Sequence, residues 1–322
     1  MSDMIPDQMP ILTVTLNPTL DMSTDADRVQ PEAKIRCDAP TLDPGGGGTN
    51  VARAVKILGG QATAFVALAG FRGQQVAALL DREALPYHSF DLPGETRLSL
   101  AVGNRADGDQ YRFVMPGPTW REEDVNRCLS QIKDTLPADA FLVLSGSMPP
   151  GVEPGFIAAL SDTALAAGAR LVLDTSGPTL ANAARGRSAG LSVLRLDQAE
   201  SEDLAGHSLP TPEDSVAFGL ALLERRAAEI VVMGRGAEGS VLVGPTGAFF
   251  ARGQKVPVKS KVGAGDSFLG AFTLSLARNE PPEQALCHGV AAASAAVMSA
   301  ATALCAREDV AGILPRVILS RL

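Results

Sequence analysis

A short loop of glycines and one acid has the clearest potential for chemistry in this sequence. Gly263, Ala264, Gly265 and Asp266 directly precede a helical segment. Glycines allow an anion to approach the backbone, and the first turn of a helix has unpaired N–H groups. The N–H groups could therefore stabilise a developing negative charge while Asp266 accepts the proton of an attacking hydroxyl. A helix-capping role for Asp266 is the structural alternative.

Four consecutive glycines, Gly45 to Gly48, form a second cluster ahead of Thr49, Asn50 and the helical segment VARAVKIL. The glycines again predict close approach of the backbone to a ligand at the start of a helix. The Asn50 amide could bind sugar hydroxyls, or it could cap the helix. The cluster alone favours neither role.

A third cluster matches the literal pattern GxGxxG through Gly234, Gly236 and Gly239, directly after the apolar segment IVVM. A dinucleotide-binding fold requires a helix at this point, so that the pyrophosphate meets its N-terminus. The segments SVLV and AFFA around the turn GPTG instead predict a β-hairpin. An NAD-dependent oxidoreductase is therefore disfavoured, and the absence of GxxxxGKS/T excludes a P-loop NTPase.

The composition is that of a globular protein with a large core. Of 322 residues, 46% are hydrophobic and 20% are charged, which excludes a disordered or collagen-like chain. The net charge of −8 argues against a nucleic-acid partner, because no basic excess is present to neutralise a phosphate backbone. A small anionic substrate is still compatible with this charge, through a local cluster of arginines.

Cysteine usage and hydropathy indicate a reducing compartment and no membrane partner. The four cysteines and three histidines are scattered, so no structural zinc site is expected, and the cysteines are interpreted as reduced thiols in the cytoplasm. The first ten residues are polar and acidic and do not resemble a secretory signal. The alanine-rich segment from Gly289 to Ala306 is too weakly hydrophobic to span a membrane and is predicted to be a buried helix.

Short apolar segments alternate with longer helical patterns along most of the chain. Strands are predicted at Ile11–Leu16, Thr63–Leu68, Ala140–Leu144, Arg170–Leu173, Leu191–Leu194 and Ile230–Met233. Helices are predicted near Asn50–Leu58, Gly73–Glu83, Glu122–Thr135, Gly155–Ala167, Pro212–Ala228, Ala264–Arg278 and Pro282–Ser299. Repeated β–α units predict a mostly parallel sheet with helices on both faces.

Two segments, Met22–Thr41 and Thr96–Met115, interrupt this alternation. The second contains a predicted hairpin between Leu98–Val102 and Gln110–Val114, around the turn-rich sequence NRADGD. We therefore expect residues 1–322 to form a single α/β domain from which these segments project as a small β-sheet lid. An amphipathic sheet needs a cover, either the substrate cleft or a partner subunit. Because unpaired strand edges otherwise invite association, we expect a homodimer through the lid.

Three motifs taken together resemble those of the ribokinase/PfkB family of carbohydrate kinases. They are LNPTLD at Leu16–Asp21, PGGGGTNVARA at Pro44–Ala54 and KVGAGDSFLGAF at Lys261–Phe272. The segments KIRC, QYRFVMPGP and SGSMPPGV are similar to those of the minor bacterial 6-phosphofructokinase type within that family. The resemblance implies a ribokinase-like three-layer α/β/α sandwich with a mostly parallel central sheet and a small β-sheet lid.

The resemblance also implies an ATP- and Mg²⁺-dependent phosphoryl transfer to a sugar phosphate. Asp266 would act as general base on the 1-hydroxyl of fructose 6-phosphate, giving fructose 1,6-bisphosphate. The N–H groups of Gly263, Ala264 and Gly265 would neutralise charge on the transferred group. 1-Phosphofructokinase and tagatose-6-phosphate kinase share LNPTLD and are alternative activities. A non-catalytic sugar or nucleotide sensor is the alternative from another class.

The family pattern assigns the sugar hydroxyls to residues in the first sixth of the chain. Asp21 and Asn50 would contact these hydroxyls, and Gly46 and Gly47 would permit the close approach of the sugar.

The substrate phosphate is assigned to basic residues. Arg97 would bind the 6-phosphate together with Ser147, since a planar guanidinium suits phosphate oxygens. A solvated charge on the hairpin is the alternative for Arg97. Lys34 and Arg36 match basic positions that reach the substrate phosphate in this subgroup, with the same or the neighbouring subunit as their source.

The nucleotide side departs from the family pattern. The usual N-x-x-E motif corresponds to Asp197 and Glu200, whose spacing would place both carboxylates on one helix face, able to hold hydrated Mg²⁺. An acidic first turn that complements the helix dipole is the alternative. Arg195 stands where the subgroup has a lysine, and Gly236 and Gly239 would contact the nucleotide through their backbone. The resemblance leaves a potassium requirement open.

Overall fold

The computed structural model describes residues 8–186, 190–299 and 303–322. The strands are β1 (Ile11–Thr15), β2 (Thr19–Ala26), β3 (Thr41–Gly45), β4 (Thr63–Ala69), β5 (Tyr87–Leu92), β6 (Arg97–Asn104), β7 (Gln110–Val114), β8 (Phe141–Ser145), β9 (Arg170–Asp174), β10 (Leu191–Leu196), β11 (Ile230–Gly234), β12 (Ser240–Gly244), β13 (Gly247–Arg252) and β14 (Ile318–Arg321). The α-helices are α1 (Gly47–Ile57), α2 (Gly70–Arg82), α3 (Glu122–Thr135), α4 (Phe156–Ala166), α5 (Gly177–Ala183), α6 (Gln198–Ala205), α7 (Pro212–Glu224), α8 (Ala264–Ala277), α9 (Pro282–Met298) and α10 (Arg307–Ile313).

The larger sheet has ten strands in the order β14-β13-β12-β11-β10-β9-β8-β1-β4-β5. The pairs between β5 and β11 are parallel, and those from β11 to β14 are antiparallel. Every residue of β1 and β8 is buried, as expected for strands covered on both faces. Leu142 and Leu144 join a core cluster with residues of α3 and α4, whereas Phe141 and Val143 join a cluster with residues of α1 and α8. This alternation confirms the predicted three-layer arrangement.

A separate sheet of four strands has the order β3-β2-β6-β7. Strands β6 and β7 pair antiparallel from Ser99 opposite Val114 to Gly103 opposite Gln110, which confirms the predicted hairpin. The sheet is longer than expected, because β2 begins at Thr19 within the LNPTLD motif and β3 runs into the glycine cluster. Two strands of the lid therefore include residues of the LNPTLD motif and of the cluster Gly45 to Gly48. The assignment of the whole chain to a single domain stays a prediction.

The predicted strands and helices are all present, and most of them have shifted ends. Helix α7 stops at Glu224 instead of Ala228, and Arg226 just beyond it adopts a left-handed conformation with φ of 57° that a helix cannot contain. The helices α5 and α10 and the strands β5 and β14 were not predicted, because none of them shows the apolar pattern of a buried strand or of a longer helix.

The alanine-rich segment is helical only in its first part. Helix α9 ends at Met298, residues 300–302 lie outside the described part of the chain, and residues 303–306 are not helical. Of the helices in the described ranges, none has the length and hydrophobicity needed to cross a membrane. All four cysteines are free, and three of them are buried.

Candidate active site

Several polar residues lie at the carboxyl ends of neighbouring parallel strands, along one edge of the larger sheet. Asn17 follows β1, Ser145 and Asp174 end β8 and β9, and Arg195 lies next to the last residue of β10. Ligands of open α/β sheets bind in the crevice at this edge, where the helix N-termini also meet. Helices α1 and α8 begin beside it and contribute the two glycine motifs.

Asp266 lies in the first turn of α8 and accepts a hydrogen bond from Asn50 of α1. The distance from Asn50 Nδ2 to Asp266 Oδ2 is 2.9 Å. Neither residue is a helix cap: the N-cap positions belong to Gly46 and Gly263, and no side chain caps either helix. The capping alternatives for Asn50 and Asp266 are therefore wrong, and the two motifs meet through their polar side chains.

Burial raises the pKa of Asp266 from 3.8 to about 6. This value includes the opposing effects of the Asn50 hydrogen bond and the charge of Arg195, which lower the pKa, and of the carboxylates of Asp174 and Asp21, which raise it. A carboxyl group with a pKa near 6 is largely ionised at neutral pH and is still basic enough to share a proton. Asp266 thus has the proton affinity that the predicted role of general base requires.

Arg195 forms an ion pair with Asp174, a residue that the sequence analysis did not single out. Arg195 Nη1 lies 2.9 Å from Asp174 Oδ1, and Ser145 Oγ donates to Asp174 Oδ2 at 3.2 Å. The guanidinium also packs against Gly265, where an added Cβ would lie 3.0 Å from Nη1. Arg195 is therefore in direct contact with the GAGD loop. The only sequence signal for Asp174 is an acid at the end of a buried strand.

Asp21 lies on β2 beside arginines of the lid. Burial raises the pKa of Asp21 to about 6, against the opposing charges of Arg112 and Arg97. An added Cβ at Gly45 would overlap the Asp21 carboxylate, so the first glycine of the cluster gives this side chain its space. The charge of Asp21 also raises the pKa of Asp266, so the two acids lie near each other.

Arg97 and Ser147, the predicted phosphate ligands, both contact Asn17. Arg97 Nε donates to the main-chain oxygen of Asn17 at 3.2 Å, and Asn17 Nδ2 donates to Ser147 Oγ at 3.1 Å. Arg97 is partly buried, so the alternative of a solvated hairpin charge is wrong. Asn17 itself is 8% exposed, and among the described residues its Oδ1 has no hydrogen-bond partner. Sequence analysis missed Asn17, although it lies inside the LNPTLD motif.

Gly46 and Gly47 lie where the start of α1 meets the end of β8. Gly46 adopts φ of 111°, which favours glycine, and an added Cβ at Gly47 would overlap Ser145 Oγ. Glycine at both positions therefore lets the start of α1 pack closely against the ends of β1 and β8. Lys34 and Arg36 lie on the exposed segment between β2 and β3, and their predicted contact with a substrate phosphate stays a prediction.

Asp197 and Glu200 lie next to each other at the start of α6, and their predicted role in holding Mg²⁺ stays a prediction. Asp197 is the N-cap of α6, and each carboxylate accepts the main-chain N–H of the other residue at 2.8 Å, the reciprocal arrangement of a capping box. Burial, Asp197 and Asp174 raise the pKa of Glu200, so a cation nearby would relieve repulsion.

A divalent cation fits these acids only with help from other ligands. Within residues 8–186, 190–299 and 303–322, no group of three or more His, Cys, Asp or Glu side chains is arranged to hold a metal ion. Mg²⁺ commonly binds through one or two carboxylates together with phosphate oxygens and water. Glu200 and Asp197 fit that donor set, because each has a second carboxylate oxygen besides the one that accepts the N–H.

The GxGxxG segment is followed by a β-hairpin, as predicted. Gly236 begins a short 3₁₀ turn, Gly236–Glu238, and strands β12 and β13 then pair antiparallel. The end of β11 lies beside the N-cap of α6, since an added Cβ at Gly234 would be 3.9 Å from Asp197 Cα. Gly236, just after β11, therefore lies near Asp197 and the start of α6, the helix that contains Glu200. The geometry of a dinucleotide fold is absent from this segment.

Comparison with known sequences gives a consistent result. The model of the pfkB family carbohydrate kinase matches residues 15–309. The chain is 38% identical over 307 residues to the ATP-dependent 6-phosphofructokinase isozyme 2 of Escherichia coli, with 93% of this chain and 96% of that protein covered. It is 29% identical over 312 residues to the 1-phosphofructokinase of Bacillus subtilis, with 97% of this chain and all of that protein covered.

Comparison with solved structures supports the same fold. Crystal structures of phosphofructokinase-2 from Escherichia coli, in complex with potassium and with fructose-6-phosphate, match with TM-scores of 0.91 and 0.89. Each is 36% identical to this chain, with 96% of this chain and 99% of the other covered. The predicted combination of a large, mostly parallel sheet and a separate small sheet is thereby confirmed.

Proposed function

The chain belongs to the pfkB family of carbohydrate kinases, and we propose that it transfers the γ-phosphoryl group of ATP to O1 of fructose 6-phosphate. Its family makes it a phosphotransferase that acts on a hydroxyl group, and its relatives make it a sugar-phosphate kinase. The observation that carries the proposal is the hydrogen bond between Asn50 and Asp266, because it joins the predicted sugar-binding helix to the predicted base.

Asp266 removes the proton as the new bond forms. Its carboxylate accepts the proton of the sugar hydroxyl while the hydroxyl oxygen bonds to the γ-phosphorus. The bond from that phosphorus to the β,γ-bridging oxygen breaks, and ADP leaves. The N–H groups of Gly263, Ala264 and Gly265 lie at the start of α8, where the helix dipole favours the charge on the transferred group. Alignment and charge stabilisation provide most of the catalysis in such a transfer.

The sugar phosphate lies between the lid and the edge of the larger sheet. Asp21 and Asn50 bind its hydroxyls, and Arg97 and Ser147 bind its phosphate, held in place by their shared contacts with Asn17. Lys34 and Arg36 add positive charge from the exposed segment of the same or a neighbouring subunit. The backbone at Gly46 and Gly47 gives the sugar room.

ATP lies along the loops after β10 and β11. Arg195, Asp197, Gly236 and Gly239 bind the nucleotide, and Glu200 with Asp197 holds Mg²⁺ through water. When bound, Mg²⁺ neutralises phosphate charge. The potassium complex of the Escherichia coli relative leaves a potassium requirement of this chain open.

A second copy of this chain covers the lid. Strand β7 is an edge of the small sheet, and Tyr111, Phe113 and Val114 on it are exposed. Exposed apolar residues on an open strand edge favour pairing with another chain. We expect Phe113→Asp to convert a homodimer into a monomer in light-scattering measurements, whereas Val258→Asp, at another exposed apolar residue, should leave the dimer intact. A monomeric parent protein would contradict this pairing.

The compartment follows from the chemistry of the substrates. ATP and reduced thiols are both abundant in the cytoplasm, and all four cysteines are free. We place the enzyme there.

A substrate panel tests the proposed reaction. ADP release should be fastest with fructose 6-phosphate, compared at equal concentration with fructose 1-phosphate and tagatose 6-phosphate. Faster release with fructose 1-phosphate would favour the activity of the Bacillus subtilis relative. Binding of sugar phosphate and ATP without ADP release from any of the three would favour a sensor and overturn the kinase proposal.

A further inference from the structure

The Asn50 side chain has a hydrogen-bond partner at each end of its amide. Its Nδ2 donates to Asp266 Oδ2 at 2.9 Å, and its Oδ1 accepts from Arg53 Nη1 at 3.2 Å. A carboxylate can only accept hydrogen bonds and a guanidinium can only donate them. The amide therefore satisfies both partners in one orientation, whereas a flipped amide would face the Asp266 carboxylate with an oxygen.

Arg53 is fixed firmly enough to select that orientation. It lies one turn after Asn50 on α1, and its side chain is 11% exposed. Its Nε and Nη2 form a fork with the two carboxylate oxygens of Glu83 at 2.8 and 2.7 Å. A bidentate contact of this kind fixes both the position and the plane of the guanidinium.

The same guanidinium touches the lid. Arg53 Nη1 donates to the main-chain oxygen of Pro44 at 3.3 Å, and Nη2 lies 3.7 Å from Asp43 Oδ1. Asp43 and Pro44 belong to β3, in register with Asp21 and Leu20 of β2. A continuous chain of contacts thus leads from the lid through Arg53 and Asn50 to Asp266.

The Asn50 hydrogen bond influences the ionisation of Asp266 because the charges around this carboxyl group have opposite effects on its pKa. Asp174 of β9 and Asp21 of β2 raise the pKa of Asp266, while Arg195 of β10 lowers it. The Asn50 hydrogen bond is the neutral contact that favours the ionised carboxylate. A flipped amide would replace this contact with repulsion between oxygens.

We propose that Arg53 is a positioning residue that holds the Asn50 amide in the orientation that donates to the Asp266 carboxylate. Arg53 acts through Asn50 and does not touch the substrate. The inference rests on the proposed function, in which Asp266 accepts the proton of the sugar hydroxyl. It adds a residue that neither composition nor motif spacing assigned to catalysis.

The test is the pH dependence of kcat for Arg53→Met, which removes the donors and keeps a long side chain. On the acid side of the profile of kcat against pH (the acid limb), kcat falls as Asp266 takes up a proton. We expect the apparent pKa of this limb to rise by about 0.5 to 1 pH unit, which corresponds to the loss of one hydrogen bond. Turnover should fall at pH 6 and recover toward the parent value at pH 8.5, with little change in the KM for ATP. The ionisation of the sugar phosphate is common to both proteins and cancels in the comparison.

Two controls separate positioning from a structural role. Arg127→Met removes another helical arginine that contacts a carboxylate and a main-chain oxygen, Asp124 and Asp91, and it should leave the acid limb unchanged. In an Asn50→Ala background, Arg53→Met should produce no further shift, because the residue through which Arg53 acts is gone. A shift of the same size in that background would overturn the proposal.

The outcomes also distinguish this inference from the proposed function. A parent protein without activity on any sugar phosphate would overturn the function, and an active parent whose acid limb is unmoved by Arg53→Met would overturn only the role of Arg53. Should Arg53→Met fail to fold, Arg53→Lys carries the test, since lysine keeps a donor but loses the fork. We expect a smaller shift in the same direction, and an unmoved limb would contradict the proposal.

Discussion

Asn50 and Asp266 are separated by 216 positions in sequence, and a hydrogen bond of 2.9 Å joins their side chains. Each residue lies in the first turn of a helix that follows a glycine motif, α1 in one case and α8 in the other. The two helices also pack closely, since an added Cβ at Gly270 of α8 would lie 2.7 Å from Ala54 Cβ of α1. Helix packing therefore fixes the distance between the predicted sugar site and the predicted base.

Replacement of Asp266 by asparagine should stabilise the protein at high pH. Folding raises the pKa of Asp266 from 3.8 to about 6, so the native state holds a proton that the unfolded chain releases within this interval. The parent therefore loses stability as the pH rises from about 4 to 6, and asparagine avoids this loss. We expect Asp266→Asn to raise the free energy of unfolding by about 1 to 3 kcal/mol at pH 8, measured in urea.

The difference should shrink toward zero below pH 4, where the parent carboxyl group is protonated in both states. An equal difference at pH 8 and at pH 4 would show that the ionisation of Asp266 is not its source.

Removal of the Arg97 guanidinium should weaken binding of the sugar phosphate. Arg97 Nε donates to the main-chain oxygen of Asn17, and in the proposed function the guanidinium binds the phosphate of the sugar. A charged hydrogen bond contributes about 1.5 to 3 kcal/mol, so Arg97→Ala should raise the KM for fructose 6-phosphate about 10- to 100-fold and leave the KM for ATP nearly unchanged. Steady-state kinetics with each substrate varied in turn measures both constants.

The matched control is Arg105→Ala, which removes an exposed arginine just after the same strand, where it pairs with Asp27. It should leave both KM values close to those of the parent. A rise in the KM for ATP alone in Arg97→Ala would place the nucleotide, and not the sugar phosphate, beside Arg97.

A methyl group at Gly47 should disrupt the start of α1. Its Cβ would overlap the side chain and main chain of Ser145, and neither α1 nor β8 can move without breaking buried contacts. We expect Gly47→Ala to lower the free energy of unfolding by about 1 to 3 kcal/mol, the usual range for overpacking, and to reduce kcat. Gly155→Ala is the control, since no atom lies within 4 Å of its added Cβ and its φ is −64°. Equal stability of the two variants would contradict the close approach at Gly47.

The sequence predicted the parts of the fold whose patterns are local. Buried strands such as β8 are continuous apolar segments, and α3 has the same bounds as predicted. A helix at Asp197 and Glu200 was expected from their spacing, but the capping box with which α6 begins was not. Its capping box depends on the backbone conformation of Asp197, which residue spacing alone does not reveal.

Most site residues that lie in local motifs were predicted, whereas those whose roles depend on distant contacts were not. Asp266, Asn50 and Asp21 lie in motifs whose glycines mark them, whereas Asp174 ends an ordinary buried strand. Arg53 lies inside PGGGGTNVARA, but its role depends on Glu83, a partner 30 positions away at the end of another helix. Contacts between distant elements of this kind follow from packing and not from any local pattern.

Turnover of Asp266→Asn with fructose 6-phosphate and ATP tests the central claim most directly. Asparagine keeps the size of the side chain and cannot accept the proton, so kcat should fall about 10²- to 10⁴-fold while fructose 6-phosphate still binds, as measured by calorimetry. Asp162→Asn, at an exposed acid of α4, should retain the activity of the parent. A value of kcat near that of the parent in Asp266→Asn would contradict the role of Asp266 as the base.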